Sequence, residues 1–114
     1  MHELPVTKSL LDIVKNKAVE INARKVTRIN AVFGELSGVE PDCIKFYFDI
    51  LKTEYGLEEA TLEVRRVPAL LTCRDCQQEF HTEELPWICP HCSSLNLNIN
   101  KGSECYLESI EVDE

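Results

Sequence analysis

The sequence predicts an α+β fold: a small sheet of about three strands, two helices packed on it, and a cysteine-rich module inserted before the last strand. Three observations lead there. Two segments repeat apolar residues every three or four positions, and three alternate apolar with polar residues. Both CxxC pairs fall within residues 69–99, where neither pattern holds. The length of 114 residues suits one ordinary domain or a small domain carrying a smaller module. A composition of 44% hydrophobic and 28% charged residues belongs to a folded, globular chain.

In the first helix Val6, Leu10, Val14, Ala18 and Ile21 form a stripe that Leu11 and Ile13 widen. Pro5 suits its first helical position, where a missing N–H costs nothing. The helix is expected to end near residues 22–24, with Met1, His2 and Glu3 projecting ahead of it. A strand follows over 26–33, with Thr27, Ile29, Ala31 and Phe33 on one face and Arg28 and Asn30 on the other. After a loop over 34–40, Pro41 opens a second helix striped with Ile44, Tyr47, Phe48, Leu51 and Tyr55, and Gly56 stops it. In a second strand over 61–67, Leu62 and Val64 alternate with Glu63 and Arg65 until Pro68 ends it. The last strand, 105–112, is expected to turn Tyr106, Ile110 and Val112 inward. The economical division places residues 1–68 and 100–114 in one α/β domain and 69–99 in an inserted one.

Charge narrows the function. Twelve Lys+Arg face 20 Asp+Glu, a net charge of -8, and residues 103–114 carry five acids and no base. Nucleic-acid affinity comes largely from Lys and Arg on phosphates, so nucleic acid is not expected as a partner. No run approaches 18 apolar residues, and the start MHELPVTKSL lacks the pattern of a secretory signal, so no membrane association is expected. No GxSxG, P-loop, HExxH or nucleophilic Cys with a paired base is present, so the chain is not expected to be an enzyme.

Six cysteines would suit a secreted disulfide scaffold, but nothing else points to secretion. Cys73-x2-Cys76 and Cys89-x2-Cys92 are separated by twelve residues, the spacing of a four-thiolate zinc site. Each CxxC turn aims two sulfurs at one ion, and two turns complete a tetrahedron. The site is read as structural zinc in a zinc-ribbon-like module too short to hold a core without metal. A redox CxxC needs only one pair, and the spacing does not match the usual iron–sulfur runs. With four cysteines assigned to metal, a reducing cytoplasm is the expected location. Cys43 and Cys105 are read as small buried hydrophobes. His81 and His91 are read as exposed loop residues, with His91 donating to a neighbouring thiolate.

His2 sets an imidazole beside the α-amine. The amine, the intervening deprotonated amide and the imidazole can chelate one ion in a plane, and the Glu3 amide would close a square. Square-planar nitrogen sites suit Ni(II) or Cu(II) rather than tetrahedral Zn(II). Read alone, a merely solvated second-position histidine is an equal alternative. Met1-His2-Glu3, the segment Gly34-Glu35-Leu36-Ser37-Gly38-Val39, the four zinc-type cysteines and the closing Ser109-Ile110-Glu111-Val112 together resemble the HypA/HybF family of hydrogenase nickel-incorporation proteins. The resemblance implies a nickel metallochaperone with structural Zn(II) and transported Ni(II), the latter held by Met1, His2 and Glu3 through amine, backbone and imidazole. It further implies transfer, with a HypB-type GTPase, to the large-subunit precursor of nickel–iron (NiFe) hydrogenase, and for some members to urease maturation. The family's adjacent acidic residue falls near Glu40, and its histidines beside the CxxC pairs are matched only in part by His81 and His91. A zinc-ribbon protein–protein adaptor without a nickel role is the alternative reading. Monomer and homodimer both stay open.

Overall fold

The computed structural model describes residues 3–81 and 87–113. Its elements are α1 (Glu3–Glu20), β1 (Lys25–Gly34), α2 (Pro41–Leu51) followed by a 3-10 turn (Lys52–Tyr55), β2 (Thr61–Val67), β3 (Leu70–Cys73), β4 (Glu79–His81), β5 (Leu97–Lys101) and β6 (Cys105–Asp113). They form two three-stranded sheets, ordered β2-β1-β6 and β4-β3-β5. β1 pairs parallel with β2 across the α2 crossover and antiparallel with β6. The chain thus leaves the first sheet after β2, builds the second, and returns as β6. The radius of gyration, 17.6 Å, exceeds the roughly 13 Å of a compact chain this long, as expected for two sheets laid end to end.

The core lies between the first sheet and the two helices. Leu10, Leu11 and Val14 of α1, Ile44 and Phe48 of α2, Val26, Ile29, Ala31 and Phe33 of β1, and Leu62 of β2 are all buried there. Gly56 stops the second helical segment as expected, in the left-handed conformation at φ 69° that glycine adopts without strain. Helix α1 begins two residues before Pro5. Proline is tolerated throughout a first turn, where no N–H has an intrahelical acceptor, so Glu3 belongs to the helix rather than projecting from it.

Two β-bulges redirect the faces read from alternation. On β1, Val26 faces Val112 and Arg28 faces Glu111, leaving Thr27 unpaired. On β6, Ser109 and Leu107 face Asn30 and Ala31, leaving Glu108 unpaired. Each extra residue shifts the inward set by one. Val26 is therefore buried in place of Thr27, and Leu107 packs on the core while Tyr106 stays 46% exposed. Ile13 and Ile21 lie outside the core and line an open trough between α1 and β6 with Leu107 and Ile110. Cys43 and Cys105 are exposed rather than buried. Cys43 precedes Ile44, the first inward residue of α2, and so faces away from the sheet.

The two sheets meet at a closely packed joint. The N–H of Leu36 donates to the Gly102 carbonyl at 2.6 Å, Gly34 N–H to Glu104 at 2.7 Å, and Glu35 N–H to Val67 at 2.9 Å. A loop of the first sheet thereby grips both connections to the second. Gly102, at φ 113°, lies against Ala69, where a Cβ would come 2.9 Å from the Ala69 Cα.

Candidate metal centres

The second sheet carries the sulfur cluster on two turns of the same build. Cys73 N–H donates to the Gln78 carbonyl and Gln77 N–H to the Cys73 carbonyl; Cys89 N–H donates to Ser94 and Ser93 N–H to Cys89 in the same way. Gln77 and Ser93 both take positive φ, 64° and 63°. A CxxC segment bent this way turns both sulfurs to one side. Asp75 of the first turn accepts the Ser94 hydroxyl and, at 3.4 Å, the Asn96 amide, which ties one turn to the other.

The sulfurs of Cys73, Cys76, Cys89 and Cys92 all lie within 4.8 Å of one another, with Cys73–Cys92 at 3.4 Å and Cys76–Cys89 at 3.5 Å. A zinc ion bonded to four sulfurs at about 2.3 Å requires sulfur–sulfur edges of about 3.8 Å, so these four residues fit that ion. Among the described residues this is the one such cluster. Cys73 and Cys89 are buried, Cys76 is half-buried and Cys92 is exposed.

Their protonation is unequal. The Cys76 N–H, 3.4 Å from the Cys73 sulfur, is the main cause that draws the Cys73 thiol down to about 6. The Ser94 N–H lowers the Cys92 thiol, but the neighbouring Cys73 sulfur and partial desolvation outweigh it and push Cys92 up to about 12. Packed sulfurs resist a second negative charge, and a bound dication removes that resistance. His91 donates to Cys89 Sγ at 3.4 Å through its backbone N–H. His81 lies in β4 rather than a loop, and its Nδ1 meets the Ala69 carbonyl at 3.1 Å.

Of the expected nickel residues, Met1 and His2 lie outside the described residues. Glu3 opens α1. Its Oε2 accepts the backbone N–H of Glu40 at 3.2 Å, and its carbonyl accepts the hydroxyl of Thr7 at 2.6 Å. Glu40, at the N-cap of α2, turns its own carboxylate toward the Asp42 N–H at 3.5 Å. Neither Thr7 nor the Glu3 carboxylate stood out in the sequence. Thr7 was legible, because it extends the buried face of Leu10, Leu11 and Val14 one turn back.

The family model described as "Hydrogenase/urease nickel incorporation, metallochaperone, hypA" matches residues 1–112. The chain is 43% identical over 114 residues to a hydrogenase maturation factor HypA of Dehalococcoides mccartyi, covering 100% of this chain and 96% of that one. It is 37% identical over 113 residues to a HypA of Aquifex aeolicus, covering 99% and 98%. The solution structure of the Ni metallochaperone HypA from Helicobacter pylori superposes with a TM-score of 0.66 at 29% identity, over 98% of this chain and 97% of the other.

Proposed function

The chain belongs to the HypA family of nickel-incorporation metallochaperones, whose work is hydrogenase maturation, and on that premise we propose that it binds one Ni(II) at its N-terminus and delivers it. The α-amine of Met1, the backbone amide nitrogens of His2 and Glu3, and the His2 imidazole supply four nitrogens in a plane, the geometry Ni(II) prefers and Zn(II) does not. The observation that carries this reading is a family match that starts at residue 1 and takes in Met1-His2-Glu3. A terminal site also suits delivery, because ligands exchange more easily there than in a closed core.

The recipient is the large-subunit precursor of nickel–iron hydrogenase, reached with a HypB-type GTPase in the cytoplasm. Residues 1–68 and 100–114 carry the nickel role. Residues 69–99 carry a structural zinc, which Cys73, Cys76, Cys89 and Cys92 would hold with no ligand position left for water or substrate. No helix among the described residues is long and apolar enough to cross a membrane.

Metal analysis of untagged protein after nickel addition tests the reading. One zinc and one nickel per chain are expected, whereas zinc alone would leave a zinc-ribbon adaptor. His2→Ala is expected to abolish high-affinity nickel binding in calorimetry while zinc and fold remain; unchanged affinity would rule the terminal site out. A residual tag or a formyl group on Met1 should weaken binding, because it blocks the amine.

A further inference from the structure

We infer that Asp75 is a positioning residue of the four-sulfur cluster: by bridging Ser94 and Asn96 it ties the first CxxC turn to the second and slows the loss of a bound ion at the exposed sulfur of Cys92. The inference rests on reading Cys73, Cys76, Cys89 and Cys92 as a structural zinc site, and it adds what keeps that site closed.

The two turns share a backbone course but not their side chains. The third position is Asp75 in the first turn and His91 in the second, and the sixth is Gln78 in the first and Ser94 in the second. Turning two sulfurs to one side requires none of these four side chains. Yet Asp75 uses both carboxylate oxygens across the gap. Its Oδ2 accepts the Ser94 hydroxyl, and its Oδ1 accepts the Asn96 side-chain amide at 3.4 Å. Hydrogen bonds to an ionised acceptor are the stronger kind.

The tie falls where the cluster is most open. Cys73 and Cys89 are buried whereas Cys92 is exposed, so a competing ligand reaches the Cys92 sulfur first. Two residues on, the Ser94 hydroxyl that donates to Asp75 also accepts the Asn96 N–H at 3.0 Å. The Asn96 carbonyl accepts the Arg74 N–H at 2.9 Å, and β5 then pairs Leu97 with Cys73. Apart from the sulfurs, that backbone bond is the one other hydrogen bond from residues 92–96 to the first turn among the described residues. Thiolates leave zinc one at a time, and a released sulfur either swings away or binds again. A turn held against its partner keeps that sulfur within reach, which favours rebinding. Such a brake suits a metal carrier, which must surrender one ion and keep the other.

The test uses untagged, zinc-loaded, full-length protein, with the coloured chelator pyridylazoresorcinol as the probe of zinc release. The absorption of the cobalt-substituted protein reports the sulfur ligands separately. Asp75→Ala and Ser94→Ala are each expected to speed zinc release about tenfold, with the four-sulfur cobalt spectrum unmoved. The double variant is expected to release zinc no faster than the faster single one, because both substitutions break the same tie. Ser94→Thr, which keeps the hydroxyl, should release near the wild-type rate, and Asp75→Asn, which keeps one acceptor oxygen, at an intermediate one. Wild-type release in both Asp75→Ala and Ser94→Ala would overturn the tie, and so would effects that multiply in the double variant. A shifted cobalt spectrum in Asp75→Asn would also overturn it, by putting the carboxylate on the metal. Wild-type protein that holds no zinc at all would instead sink the structural-zinc reading beneath it.

Discussion

Gly34 and Gly102 meet backbone to backbone at the joint between the two sheets, so closely that a Cβ on Gly34 would overlap the Gly102 carbonyl. The obstacle is main chain already hydrogen-bonded to Leu36, and it cannot rotate aside as a side chain could. Gly34→Ala is therefore expected to lower stability by roughly 2–4 kcal/mol in urea unfolding. A cost below about 0.5 kcal/mol would mean that the two sheets are not held at this contact.

Zinc removal should separate the two sheets in stability. Among the described residues from Ala69 to Lys101 the buried ones are Ala69, Leu71, Cys73 and Cys89, and two of these are proposed zinc ligands. So few apolar groups cannot offset the chain entropy of ordering the segment. After chelation at neutral pH, amide protons of β3 and β5 are expected to lose exchange protection while Ile29 and Val32 of β1 keep theirs. Retained protection in β3 would show that the second sheet folds without metal.

The cysteines should divide two from four. Cys43 and Cys105 are exposed, so an alkylating reagent is expected to modify two thiols per zinc-loaded chain and all six after zinc removal. Partial desolvation by its neighbours pushes the Cys105 thiol up, which lowers its thiolate fraction at neutral pH. Its rate should therefore climb as the pH is raised from 7 to 9. Mass spectrometry that finds Cys92 modified in the zinc-loaded protein would contradict a closed four-sulfur site.

Helix α1 offers a paired test of packing. Leu11 is 0% exposed and Ile13 is 52% exposed, although both belong to the stripe read from sequence. Leu11→Ala is expected to cost roughly 2–5 kcal/mol, and Ile13→Ala under about 1 kcal/mol. Equal costs would place the helix in a different rotation over the sheet.

Much of this was legible because the signals are local. The 3.6-residue stripe of α2 and the alternation of β2 give both elements their limits, since Pro41, Gly56 and Pro68 constrain the backbone wherever they occur. The clustering of the four sulfurs was legible for a stronger reason: two CxxC turns twelve residues apart can set four thiolates around one tetrahedral ion. The inward faces of β1 and β6 were read less well. A bulge leaves one residue out of the ladder, and that choice depends on the partner strand, which for Thr27 is about 85 residues away.

The sequence by itself determined the order of the two helices and of the three strands in the first sheet, the two CxxC turns and the family, because spacing, periodicity and motif are properties of neighbours along the chain; the three short strands of the second sheet carry no such pattern. Only the tertiary structure decided that Leu107 rather than Tyr106 faces the core, that Cys43 and Cys105 face outward, and that the Glu3 carboxylate meets the Glu40 N–H. These relations are contacts between segments far apart in the chain. Register and packing fix them, and no local pattern encodes either one.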